Sequence, residues 1–70
     1  MMTLMDLLWN PDLPDDCEVD LYLQKGQEII HIGRDAWVED IILQYVENRV
    51  VEFDYDLTHE LLTVVCAYDN

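Results

Sequence analysis

The chain has 70 residues, of which 16 are acidic and 3 basic, giving a net charge of −13, and 51% of its residues are apolar. That length allows one domain (residues 1–70) with a modest core, since a domain of this size buries only about 60% of the surface its unfolded chain exposes. The apolar fraction is too high for a disordered acidic tail, and so acidic a surface repels phosphate, which argues against direct binding to DNA, RNA or anionic lipid and favours a basic protein partner.

The first predicted element is a short helix. Thr3 with Asp6 three residues on resembles a capping box, and Leu4, Leu7 and Leu8 share one helical face. Asn10-Pro11 stops it, because a residue before proline is pushed out of the α region. Residues from Pro11 to Asp16 read as a loop. Glu18 to Leu23 then alternates, with Val19, Leu21 and Leu23 on one side and Glu18, Asp20 and Tyr22 on the other; this is the pattern of a half-buried strand. Gln24-Lys25-Gly26-Gln27 reads as a hairpin turn and Glu28 to Ile32 as the return strand, with Gly33 as its break.

Asp35 is a good N-cap for a longer helix, and Glu39 and Asp40 suit its first turns. Trp37, Val38, Ile41, Ile42, Tyr45 and Val46 form an apolar stripe, and Asn48 closes the helix after Glu47. Arg49 to Asp56 alternates again, placing Val51, Phe53 and Tyr55 on one face and Val50, Glu52, Asp54 and Asp56 on the other. After a turn, Leu61 to Tyr68 is apolar nearly throughout, as a central strand would be. The expected fold is α+β, a small α-β-β-α-β-β domain whose longer helix packs on one face of a four-stranded sheet.

Cys17 and Cys66 do not make a disulfide framework, and the start Met-Met-Thr-Leu-Met-Asp lacks a basic leader. No apolar run approaches the roughly 20 residues of a membrane span. The expectation is a reduced, cytoplasmic protein that gains stability from a partner or a homodimer, and from salt that screens its self-repulsion.

No motif carries catalysis. The chain has no serine, which excludes serine triads, and only 2 glycines, which excludes a phosphate-cradling loop. Cys17, His31, His59 and Cys66 match zinc ligands in type but not in spacing. Reading on from Asp12 or from Asp54 gives neither the glycine nor the closing glutamate of an EF-hand. No enzyme, cofactor or metal is expected. Trp37 and Tyr45 read as core, whereas Trp9 ends the first helix and reads as an interface anchor.

The carboxylates are ordered. Glu52, Asp54 and Asp56 occupy alternate positions of one strand, and Glu18 and Asp20 do so on another. Alternate strand residues project from one face about 6.6 Å apart, roughly twice the 3.4 Å axial charge spacing of one DNA strand. An outer sheet face kept merely soluble carries similar charges but mixes their signs; almost no lysine is interspersed here. Glu18, Asp20, Glu52, Asp54, Asp56 and Trp9 are therefore the expected partner-binding residues.

Thr3-Leu4-Met5-Asp6-Leu7-Leu8 followed by Leu13-Pro14-Asp15-Asp16-Cys17-Glu18-Val19 resembles the opening of very short acidic proteins encoded by phages and prophages. Some acidic phage proteins of this size are DNA mimics, including anti-CRISPR and anti-restriction inhibitors. The resemblance covers roughly the first third of the chain and assigns no individual residue a role. It implies an inhibitor of a host factor, acting in the host cytoplasm. The expected function is non-enzymatic: an anionic surface presented to a basic, nucleic-acid-handling protein. The alternative is a small adaptor or homo-oligomerisation module with an apolar interface, suggested by the apolar fraction and by Trp9 and Met5.

Overall fold

In a computed structural model of the chain, residues 2–11, 17–36 and 40–68 are described. Their elements are α1 (Leu4–Leu8), β1 (Glu18–Lys25), β2 (Glu28–Ala36), α2 (Asp40–Leu43), β3 (Val50–Asp56) and β4 (Leu61–Ala67). The strands form one mixed sheet in the order β2-β1-β4-β3. β1 and β4 pair in parallel at its centre, and the antiparallel hairpins β1–β2 and β3–β4 extend it to either side. The two edge strands thus point the same way, and α2 lies on the connection between them.

Alternation in β1 does what its period of two dictates. Val19, Leu21 and Leu23 are buried and meet Leu62, Val64 and Cys66 of β4, with Leu4, Leu7 and Leu8 of α1 and Ile42 of α2 in the same core. The capping box at α1 forms: Asp6 N–H donates to Thr3 Oγ1 at 3.3 Å, and Thr3 N–H donates to Asp6 Oδ2 at 3.1 Å. Gly26 turns the first hairpin with φ of 63°, while Gln27 has no positive φ. That is the backbone of a type II′ turn, where glycine belongs at the first central position.

Three expectations are corrected. β2 does not end before Gly33 but runs to Ala36, so Asp35 pairs with Val19 inside a strand rather than capping a helix. Gly33 is a close-approach residue, since a Cβ built on it would lie 2.6 Å from Ile41 Cδ1. The expected long helix has a described α-helical part of only Asp40–Leu43. Beyond it, Tyr45 and Val46 donate to carbonyls three residues back, as in a tightened turn, and the carbonyls of Val46 and Asn48 accept from Met5 and Leu4 at the start of α1. Trp37, Val38 and Glu39 lie outside the described residues, as do Asp12 to Asp16.

The third correction is in β3. Its register shifts between Val50 and Glu52, so Val51 is the extra residue of a β-bulge. Val50, not Val51, joins the core margin with Tyr55, and Val51 is 42% exposed. Phe53 pairs with Val64 and so faces the core side, yet it remains 50% exposed at the sheet edge.

Candidate functional site

The register settles where the carboxylates stand. In antiparallel and parallel ladders alike, paired residues share a face. Glu18, Asp20 and Tyr22 of β1 pair with Leu61, Thr63 and Val65 of β4. Those same three β4 residues pair with Asp56, Asp54 and Glu52 of β3. Both carboxylate rows therefore project from the sheet face opposite the core. They are not on adjacent strands: β4 runs between them, which sets the rows about 10 Å apart. The strip between them is uncharged.

The two rows differ in how their charge is held. On β1, Arg34 Nη2 donates to Glu18 Oε1 at 3.2 Å, and His31 Nε2 lies 2.6 Å from Asp20 Oδ1. Tyr22 also donates its hydroxyl to Asp20 Oδ2 at 3.0 Å, and the Tyr22 and His31 rings stack with centroids 4.7 Å apart. Tyr22 is held above the ordinary phenol range, chiefly because its hydroxyl proton is bonded to that carboxylate. The Asp20 side chain is only 17% exposed. Both carboxylates of the β1 row thus already have a partner on the neighbouring strand, Arg34 for Glu18 and His31 for Asp20.

On β3 the charge is barer. Among the described residues, no cation reaches Glu52 or Asp54. Asp56 is engaged locally: Oδ1 accepts from the Thr58 and His59 backbone N–H groups at 3.0 and 3.3 Å, and Oδ2 lies 2.7 Å from His59 Nδ1. These bonds hold its carboxyl below the ordinary value, the His59 side chain contributing most. Glu52 and Asp54 are the most available anions of the face.

Trp9 is 72% exposed, but it ends α1, whose leucines pack on the other side of the sheet. It is not brought together with the carboxylate rows. Asp15, Asp16 and Glu39 lie outside the described residues, while Asp40 and Glu47 are exposed. Sequence reading missed Arg34 as a partner of Glu18 because it ended β2 too early, and missed the His31–Asp20 contact because that depends on the strand register. It also missed the exposure of Phe53, which depends on β3 being an edge.

Cys17 and Cys66 are buried and form no disulfide, and burial pushes the Cys66 thiol up to about 11. Among the described residues no group of three or more His, Cys, Asp or Glu side chains is gathered to hold a metal ion. Among them, too, no helix is long and apolar enough to cross a membrane. Comparison with protein families, curated proteins and solved structures finds no match to this chain.

Proposed function

We propose that this protein is a non-enzymatic inhibitor or regulator that offers an anionic sheet face to the basic surface of a nucleic-acid-handling protein in the cytoplasm, in the manner of a DNA mimic. One observation carries the reading: Glu18 and Asp20 on β1 and Glu52, Asp54 and Asp56 on β3 share one face, in two rows flanking β4. A rigid sheet fixes the spacing of those charges before the partner arrives, so little ordering entropy is lost on binding. Rows of Arg and Lys that normally follow a phosphate backbone find fixed carboxylates instead. Association is fast at low salt and weakens as salt rises.

Capture of partners from a host lysate, followed by nuclease and DNA-binding assays on them, tests this reading. The expected result is a basic partner whose binding falls steeply between low and high salt and is lost in the Glu52→Lys, Asp54→Lys double variant. Binding indifferent to salt, or kept by that variant, overturns it.

A second reading rests on a different observation. Trp9, Leu57 and Ile29 are 72%, 79% and 57% exposed, which suits an adaptor or homo-oligomer with an apolar contact. Light scattering coupled to size exclusion separates the two, since a salt-insensitive dimer that buries Trp9 supports only the second.

A further inference from the structure

We infer that the outer sheet face receives an amphipathic α-helix of the partner, laid along β4 with an apolar stripe on that strand and Lys or Arg on its flanks. This deepens the preceding reading and rests on it. Among the described residues both helices pack on the opposite face, where Leu4, Leu7 and Ile42 meet Leu21 and Leu62. The face they leave open has a relief set by the strand register. Thr63 of β4 stands between Asp20 and Asp54, and Val65 stands between Tyr22 and Glu52. Short uncharged side chains thus form a floor, and longer ones, most of them carboxylates, form two walls. Thr63 is half-buried, and Val65, between the longest of its neighbours, is only 8% exposed.

Width and charge select the occupant. The walls stand about 10 Å apart, two strand spacings, and an α-helix with its side chains is about 10–12 Å across. A helix laid along β4 stays within about 20–25° of either wall, the twist between neighbouring strands. Its apolar stripe meets Thr63 and Val65. Its flanking Lys and Arg rest their stems on the uncharged strip and reach the carboxylates with their charged ends. The major groove of DNA, about 12 Å wide, gives a reading helix similar surroundings, a floor between two lines of anions. A helix built for that groove therefore finds both its width and its charge here. A second copy of this chain is disfavoured, because stacking two such faces sets carboxylates against carboxylates. The walls are also unequal. Glu18 and Asp20 already engage Arg34 and His31, while no cation among the described residues reaches Glu52 or Asp54. The docked helix accordingly turns its more basic flank to β3.

The test uses the full chain, methyl-labelled at Leu, Val and Thr for NMR, and a stapled helical peptide of about four turns. That peptide carries Leu and Ala on one stripe and Lys and Arg on both flanks. A second has the same staple and composition but scatters its basic residues around the helix. A third, unstapled, alternates basic with apolar residues as an extended strand would. The amphipathic helix is expected to bind at least tenfold tighter than either control at low salt. It should shift the Thr63 and Val65 methyl signals far more than those of Leu62 and Val64, which face the core. Thr63→Arg, which fills the floor, should weaken the helix at least tenfold. Gln44→Arg makes the same change of net charge on the exposed turn after α2 and should weaken it less than twofold. The methyl shifts are read on the unaltered chain, so they decide the site even if Thr63→Arg does not fold. Equal binding of the three peptides, tighter binding of the alternating one, shifts centred on Leu62 and Val64, or equal weakening by the two arginine variants overturns the docked helix while leaving a salt-dependent anionic face in place. Failure of every peptide to bind at low salt overturns both.

Discussion

His31 Nε2 stands 2.6 Å from Asp20 Oδ1, reaching diagonally from β2 onto β1. The contact ties up one of the two β1 carboxylates, as Arg34 ties up the other. An incoming basic partner must therefore compete with contacts the protein already supplies. Replacing both with alanine is expected to strengthen binding of a Lys- and Arg-rich peptide, most clearly at low salt, by freeing Glu18 and Asp20. For the exposed Arg34–Glu18 pair the cost in folding stability is small, at most about 1 kcal/mol. Titration calorimetry at two salt concentrations checks it. Affinity that stays level or drops would remove the β1 row from the docking face.

Ile42 is the fully buried residue of α2 and shares the core with Leu4, Leu21 and Leu62. So short a helix has almost no stability of its own and is held by this packing. Ile42→Ala is expected to cost about 2–5 kcal/mol, whereas Ile42→Val costs about 0.5–1.5. A core of this size rarely supplies more than about 3–5 kcal/mol in total, so the alanine variant should be largely unfolded at 25 °C by circular dichroism. An alanine variant as stable to urea as its parent would show that the α2 segment is not part of the cooperative core.

Much of this architecture was legible in the residues, and what was not has physical causes. Alternation in Glu18 to Leu23 gave the buried face of β1 directly, and the apolar run from Leu61 matched the central place of β4. Gly33 read as a break because glycine usually interrupts a strand; its actual place is set by Ile41, a contact invisible in local sequence. The stripe from Ile41 to Val46 has helical spacing, but the carbonyls of Val46 and Asn48 turn to the first amides of α1. Tertiary hydrogen bonds there override propensity. The carboxylate rows could be read strand by strand, yet their common face depends on a parallel pairing between β1 and β4, which no short-range pattern encodes.

Glu60 has φ of 52° where the β3–β4 turn ends, and its carbonyl accepts from Glu18 N–H at 3.0 Å. A side chain in the left-handed region is strained against its own backbone. Glu60→Gly relieves that strain, and Glu60→Ala removes the same charge while keeping the Cβ. The glycine variant is expected to be more stable than the alanine variant by about 0.5–1 kcal/mol, after allowing for the larger unfolded-state entropy of glycine. Urea denaturation of the pair measures it, and equal midpoints would mean that position 60 is unstrained.

Asp56 and Asp54 sit two residues apart on the same face, yet they should respond oppositely to loss of charge. Asp56 is held below its ordinary value by His59 and two backbone N–H groups, so its charged form is favoured by folding. With the native value depressed, the unfolded chain takes up the proton first as pH falls. The contribution is therefore present above the ordinary aspartate value of about 3.9 and is lost as pH falls through the native value. Asp54 has no cation within reach among the described residues, and its charge only adds to the net repulsion. Asp56→Asn should destabilise the protein at neutral pH, while Asp54→Asn leaves stability unchanged or raises it. The gap between the two variants should begin to close below the ordinary aspartate value and vanish only once pH has fallen past the depressed native value of Asp56. Because Asp56 and His59 are exposed, salt should narrow the gap as well. Thermal melts of both variants across pH and salt decide the matter: a gap that persists at low pH would trace the Asp56 effect to turn geometry rather than to its charge.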